Sequence, residues 1–130
     1  MFFCDYPIIG TEKGLPLFLL GMGQHHCQNH IIRTEGHAYP QFLYCTKGSG
    51  TMLLDGKKIS IPPYTVIFMP ASYPHEYYPE EEIWDIHWVV PTGSGIDGIL
   101  TELGLTKPIV QKLKEVKMLD HIFRKMHDTL

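Results

Sequence analysis

The alternation of hydrophobic and polar residues along the chain predicts β-strands over about its first two-thirds. Runs rich in β-branched and aromatic residues occur in "CQNHIIR", "QFLYCTK", "TVIFMP", "HEYY" and "WDIHWVV", with turn-forming residues between them. In "TMLLDGKKISI", the pair Asp55-Gly56 stands between alternating apolar residues, which is a strong signal for a β-hairpin. About seven or eight short strands at regular spacing are typical of an all-β sandwich or barrel.

Two glycine-rich stretches, "GMG" and "GSG", carry no phosphate-binding or catalytic signal. Neither precedes a helix that could cradle a phosphate, and the chain contains no Gly-x-Ser-x-Gly nucleophile elbow. We interpret the glycines of both stretches as turn residues.

The hydrophobic period becomes helical after residue 92. Ile96, Ile99, Leu100 and Leu103 follow the i, i+3, i+4, i+7 pattern of an amphipathic helix. Ser94 and Asp97 form a Ser-x-x-Asp start signal, and Gly104 is a suitable C-terminal cap. We therefore predict a β-barrel domain over residues 1–92 and a helical segment over residues 93–130.

A second amphipathic stripe follows Pro108 and continues to the last residue without a stop signal. From this we expect the chain to be the N-terminal part of a longer protein. The stripe also offers more apolar surface than a short helix needs to pack on a sheet, so we predict a twofold homodimer. The predicted dimerisation residues are Leu119, Ile122, Phe123 and Met126.

Composition narrows the class of protein. A chain of 130 residues fits one domain, and its formal net charge of −3 offers no electrostatic footprint for nucleic acid. The three cysteines form no Cys-x-x-Cys pair, which favours a reducing cytoplasm. No apolar run approaches the length of a membrane span, and the N-terminus lacks the features of a signal peptide.

Metal binding is one interpretation of the eight histidines. The cluster "HHCQNH" lacks the paired spacing of a zinc finger. Metal-binding barrels of the cupin type instead use a His-x-His pair, a glutamate and a later histidine. The matching positions here are Glu35, His37, Gln41 and His75, of which Glu35, His37 and His75 could hold iron or zinc while Gln41 is a weak ligand.

The aromatic strand "WDIHWVV" suggests a different site. Period-2 alternation places Trp84, Ile86 and Trp88 on one face and Asp85 and His87 on the other. Two indoles on one face are either core residues or a platform on which sugar rings and planar organic molecules stack.

Arg33 and Tyr77 are the polar candidates for the same site. Arg33 ends the apolar strand "HIIR", where an arginine is either a rim residue paired with an acid or a clamp for a ligand. Tyr77 shares a strand face with His75 and could supply a hydroxyl.

The order and spacing of several motifs resemble the sensor domain of AraC-type bacterial transcription regulators, over nearly the whole chain. The motifs are Arg33-x-x-Gly36, Gly48-x-Gly50 after an aromatic strand, the turn from Pro70 to His75, and Trp84-x-x-x-Trp88. The resemblance implies a mainly β fold, a cupin-like double-stranded β-helix or jelly-roll barrel followed by C-terminal α-helices that dimerise. It also implies a small-molecule pocket, often for a sugar, and a separate DNA-binding domain that this chain lacks.

Residue by residue, the resemblance implies a pocket in which Arg33, Tyr77 and Trp88 contact the effector. It implies no cofactor. Ile86 and Leu19 stand where the arabinose-sensing member has polar contacts, so arabinose itself is not the expected effector. The remaining expected ligand contacts are His37, Gln41, His75 and Trp84.

The family's N-terminal arm folds over the bound effector. The corresponding arm here covers about residues 1–16, and Tyr6 and Pro7 in "DYPIIG" are its expected ligand contacts. The leading interpretation is therefore an effector-sensing and dimerisation domain without catalysis. The alternatives are a metal-dependent cupin enzyme, such as an isomerase or dioxygenase, and a standalone sugar-binding cupin.

Overall fold

The computed structural model describes residues 2–5 and 17–113, which form ten β-strands and one short helix. The strands are β1 (Phe2–Asp5), β2 (Phe18–His25), β3 (Ile31–Arg33), β4 (Gln41–Lys47), β5 (Gly50–Leu54), β6 (Lys57–Ile61), β7 (Thr65–Met69), β8 (His75–Pro79), β9 (Asp85–Thr92) and β10 (Ile109–Lys112). The helix is α1 (Ile96–Glu102). In this part of the chain, no helix has the length and apolar character that crossing a membrane requires.

The strands form two antiparallel sheets with the order of a jelly roll. One sheet runs β1-β2-β9-β4-β7-β10 and the other runs β3-β8-β5-β6. The central order β2-β9-β4-β7 against β3-β8-β5-β6 is that of an eight-stranded jelly roll, the architecture that cupins share. The predicted mainly β, cupin-like jelly-roll fold is thus confirmed.

The β5–β6 hairpin forms at the Asp55-Gly56 pair that the sequence singled out. Leu54 pairs with Lys57 across the turn, so the loop has two residues. Asp55 and Gly56 both have positive φ, at 53° and 75°. Two successive positive φ angles are the mark of a type I′ turn, whose twist matches that of the flanking strands.

The core lies between the two sheets and draws side chains from both. Met52 of β5 and Tyr77 of β8 meet Leu43 of β4 and Ile86 of β9, and all four are at most 5% exposed. Trp84, directly before β9, is 1% exposed and is among the largest fully buried side chains. The inward faces of both sheets therefore bury one continuous apolar cluster, which holds the sheets together.

The two faces of β9 differ as the alternation predicted. Ile86 faces the core, while Asp85 and His87 lie on the opposite face and are also buried. The Asp85 carboxylate accepts hydrogen bonds from Gln24 Nε2 at 2.9 Å and from Thr46 Oγ1 at 2.9 Å. These bonds satisfy a buried charge that would otherwise be costly.

Three local features differ from the sequence predictions. The glycines of "GMG" and Gly50 of "GSG" are not turn residues, because Gly21 and Gly23 lie within β2, paired with Val90 and Trp88 of β9, and Gly50 begins β5. The cap of α1 is Gly95, without a side-chain hydrogen bond, so the Ser-x-x-Asp signal forms no capping box. Within the segment predicted to be helical, Ile109–Lys112 form strand β10, which pairs with β7.

Two predicted regions lie outside the described residues. They are most of the N-terminal arm, with Tyr6 and Pro7, and the second amphipathic stripe, with Leu119, Ile122, Phe123 and Met126. The boundary between residues 92 and 93 also stays a prediction.

Candidate ligand-binding cavity

A cavity of about 330 Å³ opens between the two sheets beside the apolar core. Both sheets contribute to its wall, since its lining comes from β2, β4 and β9 on one side and from β3 and β8 on the other. Its size falls at the lower end of the range for small-molecule sites. The lining residues are Leu20, Gly21, His25, Gln28, Ile31, Arg33, His37, Tyr39, Gln41, Leu43, Tyr77, Trp88 and Val90.

Arg33 is the centre of the polar wall. Its Nη1 donates to Gln41 Oε1 at 3.1 Å, contacts His75 Nε2 at 3.2 Å and reaches the Tyr77 hydroxyl at 3.5 Å. The guanidinium carbon also lies 5.9 Å from the centre of the Tyr77 ring. These contacts hold the cation in place beside the cavity.

His75 contacts Arg33 from outside the cavity lining, and its ring has one defined tautomer. Its Nδ1 lies 2.8 Å from the Tyr73 carbonyl oxygen, which can only accept, so Nδ1 carries the proton. The Nε2 lone pair is then free to accept from Arg33. Burial lowers the pKa of His75, and the neighbouring Arg33 charge lowers it further while the Tyr73 carbonyl opposes both effects. His75 is therefore neutral at physiological pH.

The turn after β3 sets the position of Arg33 and His37. Gly36 N donates to Arg33 O at 3.1 Å, and Ser72 N donates to His37 O at 2.7 Å. Gly36 has a φ of 76°, and a Cβ there would overlap the backbone of Tyr73. The Arg33-x-x-Gly36 motif thus needs glycine for a close approach of two backbones, and this approach brings Arg33 towards His75.

Trp88 forms the opposite, apolar wall of the cavity. It lies on β9, is partly exposed and packs at the edge of the core cluster. The ring of His25 on β2 is 6.4 Å from the Trp88 ring, at an interplanar angle of 39°. An indole that lines a cavity is a surface on which a ring-shaped ligand can stack.

Most of the ligand contacts expected from the sequence come together here. Arg33, His37, Gln41, Tyr77 and Trp88 all line the cavity. His75 does not line it but supports Arg33. Tyr6 and Pro7 lie outside the described residues.

Trp84 is placed differently from the expectation. Its side chain is 1% exposed and packs within the core, where its ring meets that of Tyr77 edge-on at 6.0 Å. A ring so enclosed cannot contact a ligand in the cavity, so the structure gives Trp84 a packing role instead.

Several lining residues were not singled out from the sequence. Leu20, Gly21 and His25 belong to β2, and this strand was not predicted because "GMG" was interpreted as a turn. Gln28 and Tyr39 come from irregular segments, and no periodic pattern marks such segments. The alternation of apolar residues in "FLLGMGQH" was the one signal that could have identified β2.

The structure gives the metal interpretation no geometric support. No group of three metal-ligating side chains comes together within the described residues. Glu35 is exposed, and the Nε2 of His75 that a metal would need is in contact with the Arg33 guanidinium. A fixed cation at that position repels a second one.

The fold and cavity together define a jelly-roll domain built to bind a small molecule. The family model of the AraC-like ligand binding domain matches residues 20–130, and the chain belongs to this family. No curated protein matches the chain.

Solved structures of bacterial regulators share the fold at low sequence identity. ToxT from Vibrio cholerae O395, bound to (E)-4-(8-methylnaphthalen-1-yl)but-3-enoic acid, has a TM-score of 0.60 and 8% identity, with 96% of this chain and 48% of ToxT covered. An apo ToxT variant from Vibrio cholerae strain SCE256 has a TM-score of 0.62 and 9% identity, with coverages of 82% and 47%. An HTH_3 family transcriptional regulator from Vibrio cholerae has a TM-score of 0.50 and 12% identity, with coverages of 70% and 49%. The chain thus spans about half the length of these regulators.

Proposed function

We propose that this chain is the effector-sensing domain of a transcription regulator and that the cavity between its sheets holds the effector. The observation that carries this proposal is the convergence of the Arg33, Gln41 and Tyr77 side chains within a cavity that is otherwise largely apolar. A few polar groups that fix orientation, set in an apolar enclosure, are the usual make-up of a small-molecule site. The match to the AraC-like ligand-binding family supports the same conclusion.

The proposed effector is a small organic molecule with a ring, such as a sugar. Trp88 offers a flat apolar surface for the ring, and Arg33, Gln41 and Tyr77 offer hydrogen-bond donors and acceptors around the same cavity. Sugars combine a weakly apolar ring face with an edge of hydroxyl groups, which fits this division. In this proposal the domain binds its effector without changing it chemically.

Titration calorimetry with a panel of small metabolites tests the site. Arg33→Ala should weaken binding by about 1.5–3 kcal/mol, the range for a hydrogen bond to a charged group. Trp88→Ala should weaken it as well, through the loss of the stacking wall. Lys58→Ala, an exposed position on β6, is the control and should bind normally. Unchanged affinity in both cavity variants would remove the cavity as the effector site.

We further propose that effector binding is read out by a homodimer and by a DNA-binding domain beyond this chain, in the cytoplasm. The dimer proposal rests on the amphipathic sequence of Leu119, Ile122, Phe123 and Met126. The cytoplasmic proposal rests on the cysteines, because Cys27 and Cys45 are both free thiols. Sedimentation across a concentration series, with Phe123→Asp as the probe, tests the dimer. A strictly monomeric species that this variant leaves unchanged would contradict it.

A further inference from the structure

The described residues that line the cavity include one permanently charged group and no acid. The charged group is Arg33, and neither aspartate nor glutamate contributes to the lining. His25 and His37 also face the cavity, and burial lowers the pKa of each, so both are neutral at physiological pH. The described lining therefore carries a net positive charge, within a protein whose formal net charge is −3.

The protein partners of Arg33 hold the guanidinium but do not neutralise it. Gln41 is an uncharged amide, and His75 is neutral for the reasons given above. Burial raises the pKa of Tyr77, so its phenol stays protonated even though the Arg33 charge acts in the opposite direction. No carboxylate in the described part of the chain lies within salt-bridge distance of Arg33.

Arg33 also keeps part of its hydrogen-bonding capacity unused. A guanidinium has five N–H donors, and all three contacts to described residues involve Nη1. Nε and Nη2 make no hydrogen bond to any described protein atom. These two nitrogens form one of the two edges with which arginine binds a carboxylate through paired, parallel hydrogen bonds.

We infer that the effector carries a carboxylate that pairs with Arg33, and that its organic part lies against Trp88 and the apolar wall. A partly buried cation without an acidic partner is costly, and an anionic ligand removes that cost on binding. A neutral ligand does not compensate the charge of Arg33, so the free-energy cost of the partly buried cation remains. This inference rests on the proposed function and specifies its ligand class as organic acids, including sugar acids, rather than neutral sugars.

The first test compares probes that differ in charge but little in shape. The pairs are phenylacetate with phenylacetamide and galacturonate with galactose, each titrated by calorimetry at pH 7.5. In at least one pair, the acid should bind about tenfold or more tightly than its neutral partner, as expected for a charge-assisted pair. Arg33→Gln should abolish this preference. Lys58→Gln removes the same charge from an exposed strand and should preserve it.

The second test measures the charge of the cavity without any organic ligand. Trp88 lines the cavity while Trp84 is enclosed, so the fluorescence accessible to small quenchers comes from Trp88, which Trp88→Phe verifies. When each quenching constant is divided by that of free N-acetyltryptophanamide with the same ion, iodide should quench this emission more strongly than caesium, despite the negative net charge of the protein. Arg33→Gln should remove the difference. Equal quenching by the two ions in the unaltered protein would overturn the inference.

The results separate failure of the inference from failure of the proposed function. If phenylacetamide or galactose binds as tightly as its acid, and Trp88→Ala weakens that binding, the cavity is an effector site but the carboxylate inference is wrong. If acids bind with equal affinity in the unaltered protein and in both Arg33→Gln and Trp88→Ala, they bind elsewhere and both proposals fail. Preference for acids that is lost in Arg33→Gln supports both.

Discussion

Trp84, directly before β9, and Trp88, on β9, fall on one face of the period-2 alternation and yet occupy two different environments. Trp84 is 1% exposed in the core, and Trp88, four residues further, is partly exposed on the cavity wall. The distance between them along an extended strand is about 13 Å. Over that distance the space between the sheets changes from a packed interior to a cavity that a small molecule can enter.

The difference is produced by the residues that each tryptophan faces. Trp84 packs with Tyr77, Met52 and Ile61, all at most 5% exposed, and Gly50 leaves room for its ring. Trp88 shares the lining of the cavity with polar residues such as Arg33 and Gln41, which keep hydrogen-bonding groups there. One end of the barrel is therefore a packed core, and the other holds the cavity proposed as the binding site.

Replacing each tryptophan should have opposite consequences for stability and binding. Trp84→Ala should lower the free energy of unfolding by about 3–5 kcal/mol, because it leaves a large cavity in a packed core. Trp88→Ala should cost clearly less, since Trp88 is partly exposed and lines the cavity, but it should weaken effector binding. Urea unfolding with calorimetric titration of the folded variants measures both. Equal losses of stability in the two variants would contradict the division into two ends.

Gly50 offers a smaller change at the packed end. A Cβ at Gly50 would overlap the six-membered ring of Trp84. Gly50→Ala should therefore destabilise the protein by about 1–3 kcal/mol, the usual cost of overpacking. The matched control is Gly98→Ala in α1, where no described atom beyond the helix's own backbone and the two chain neighbours lies within 4 Å of the added methyl group. It should stabilise the helix by about 0.5–1 kcal/mol. Denaturation midpoints of the two variants should move in opposite directions.

The cavity end should respond to pH through His75. Its pKa is lowered from 6.5 in the folded protein, chiefly by burial, so between that lowered pKa and pH 6.5 the unfolded chain binds a proton that the folded chain does not. Stability from this group is complete above pH 6.5 and is lost as the pH falls through the lowered pKa. His25 and His37 shift in the same direction.

His75→Gln isolates this contribution, since glutamine can still accept from Arg33 but does not titrate. The variant should lose less stability than the unaltered protein between pH 7 and about 5.5. An NMR titration of the histidine ring protons gives the pKa of His75 directly. A pKa at or above 6.5 would show that this histidine is not held neutral in the site.

Cys27 and Cys45 also distinguish an exposed position from the packed core. Cys45 lies in the core, where burial raises the pKa of its thiol to about 11, whereas Cys27 is exposed. Since the thiolate is the reactive form, Cys27 should react with a thiol reagent in the native protein while Cys45 reacts only after unfolding. Mass spectrometry of the modified peptides distinguishes them. Rapid native labelling of Cys45 would show that the core end opens readily.

The sequence predicted some structural features of the two ends of the barrel and not others. The hairpin at Asp55-Gly56 and the two faces of β9 followed from period-2 alternation and turn chemistry, which are local properties. The alternation could not distinguish the core position of Trp84 from the cavity position of Trp88, because both residues occupy equivalent positions in it. Only the cross-strand partners that the fold supplies decide between core and cavity.

The candidate site depends on cross-strand partners in the same way. The family resemblance predicted that Arg33, Tyr77 and Trp88 contact the ligand, and all three line the cavity. It did not indicate that His75 contacts Arg33 instead of lining the cavity. Strand β2 was missed because Gly21 and Gly23 are normally turn residues, and only pairing with β9 makes them part of a strand. Strand β10 was missed because its apolar content is small and its partner, β7, is distant in sequence.

The central claim is that a small molecule binds at the Trp88 end of the barrel, and the indole N–H signals of the two tryptophans test it most directly. Each indole gives its own resonance in a ¹⁵N-correlated NMR spectrum, assigned with Trp88→Phe. On titration with a binding acid such as phenylacetate or galacturonate, the Trp88 signal should shift progressively while the Trp84 signal stays nearly unchanged. A ligand that binds while leaving the Trp88 signal in place, or that shifts both signals equally, would contradict the assignment of the cavity as the effector site.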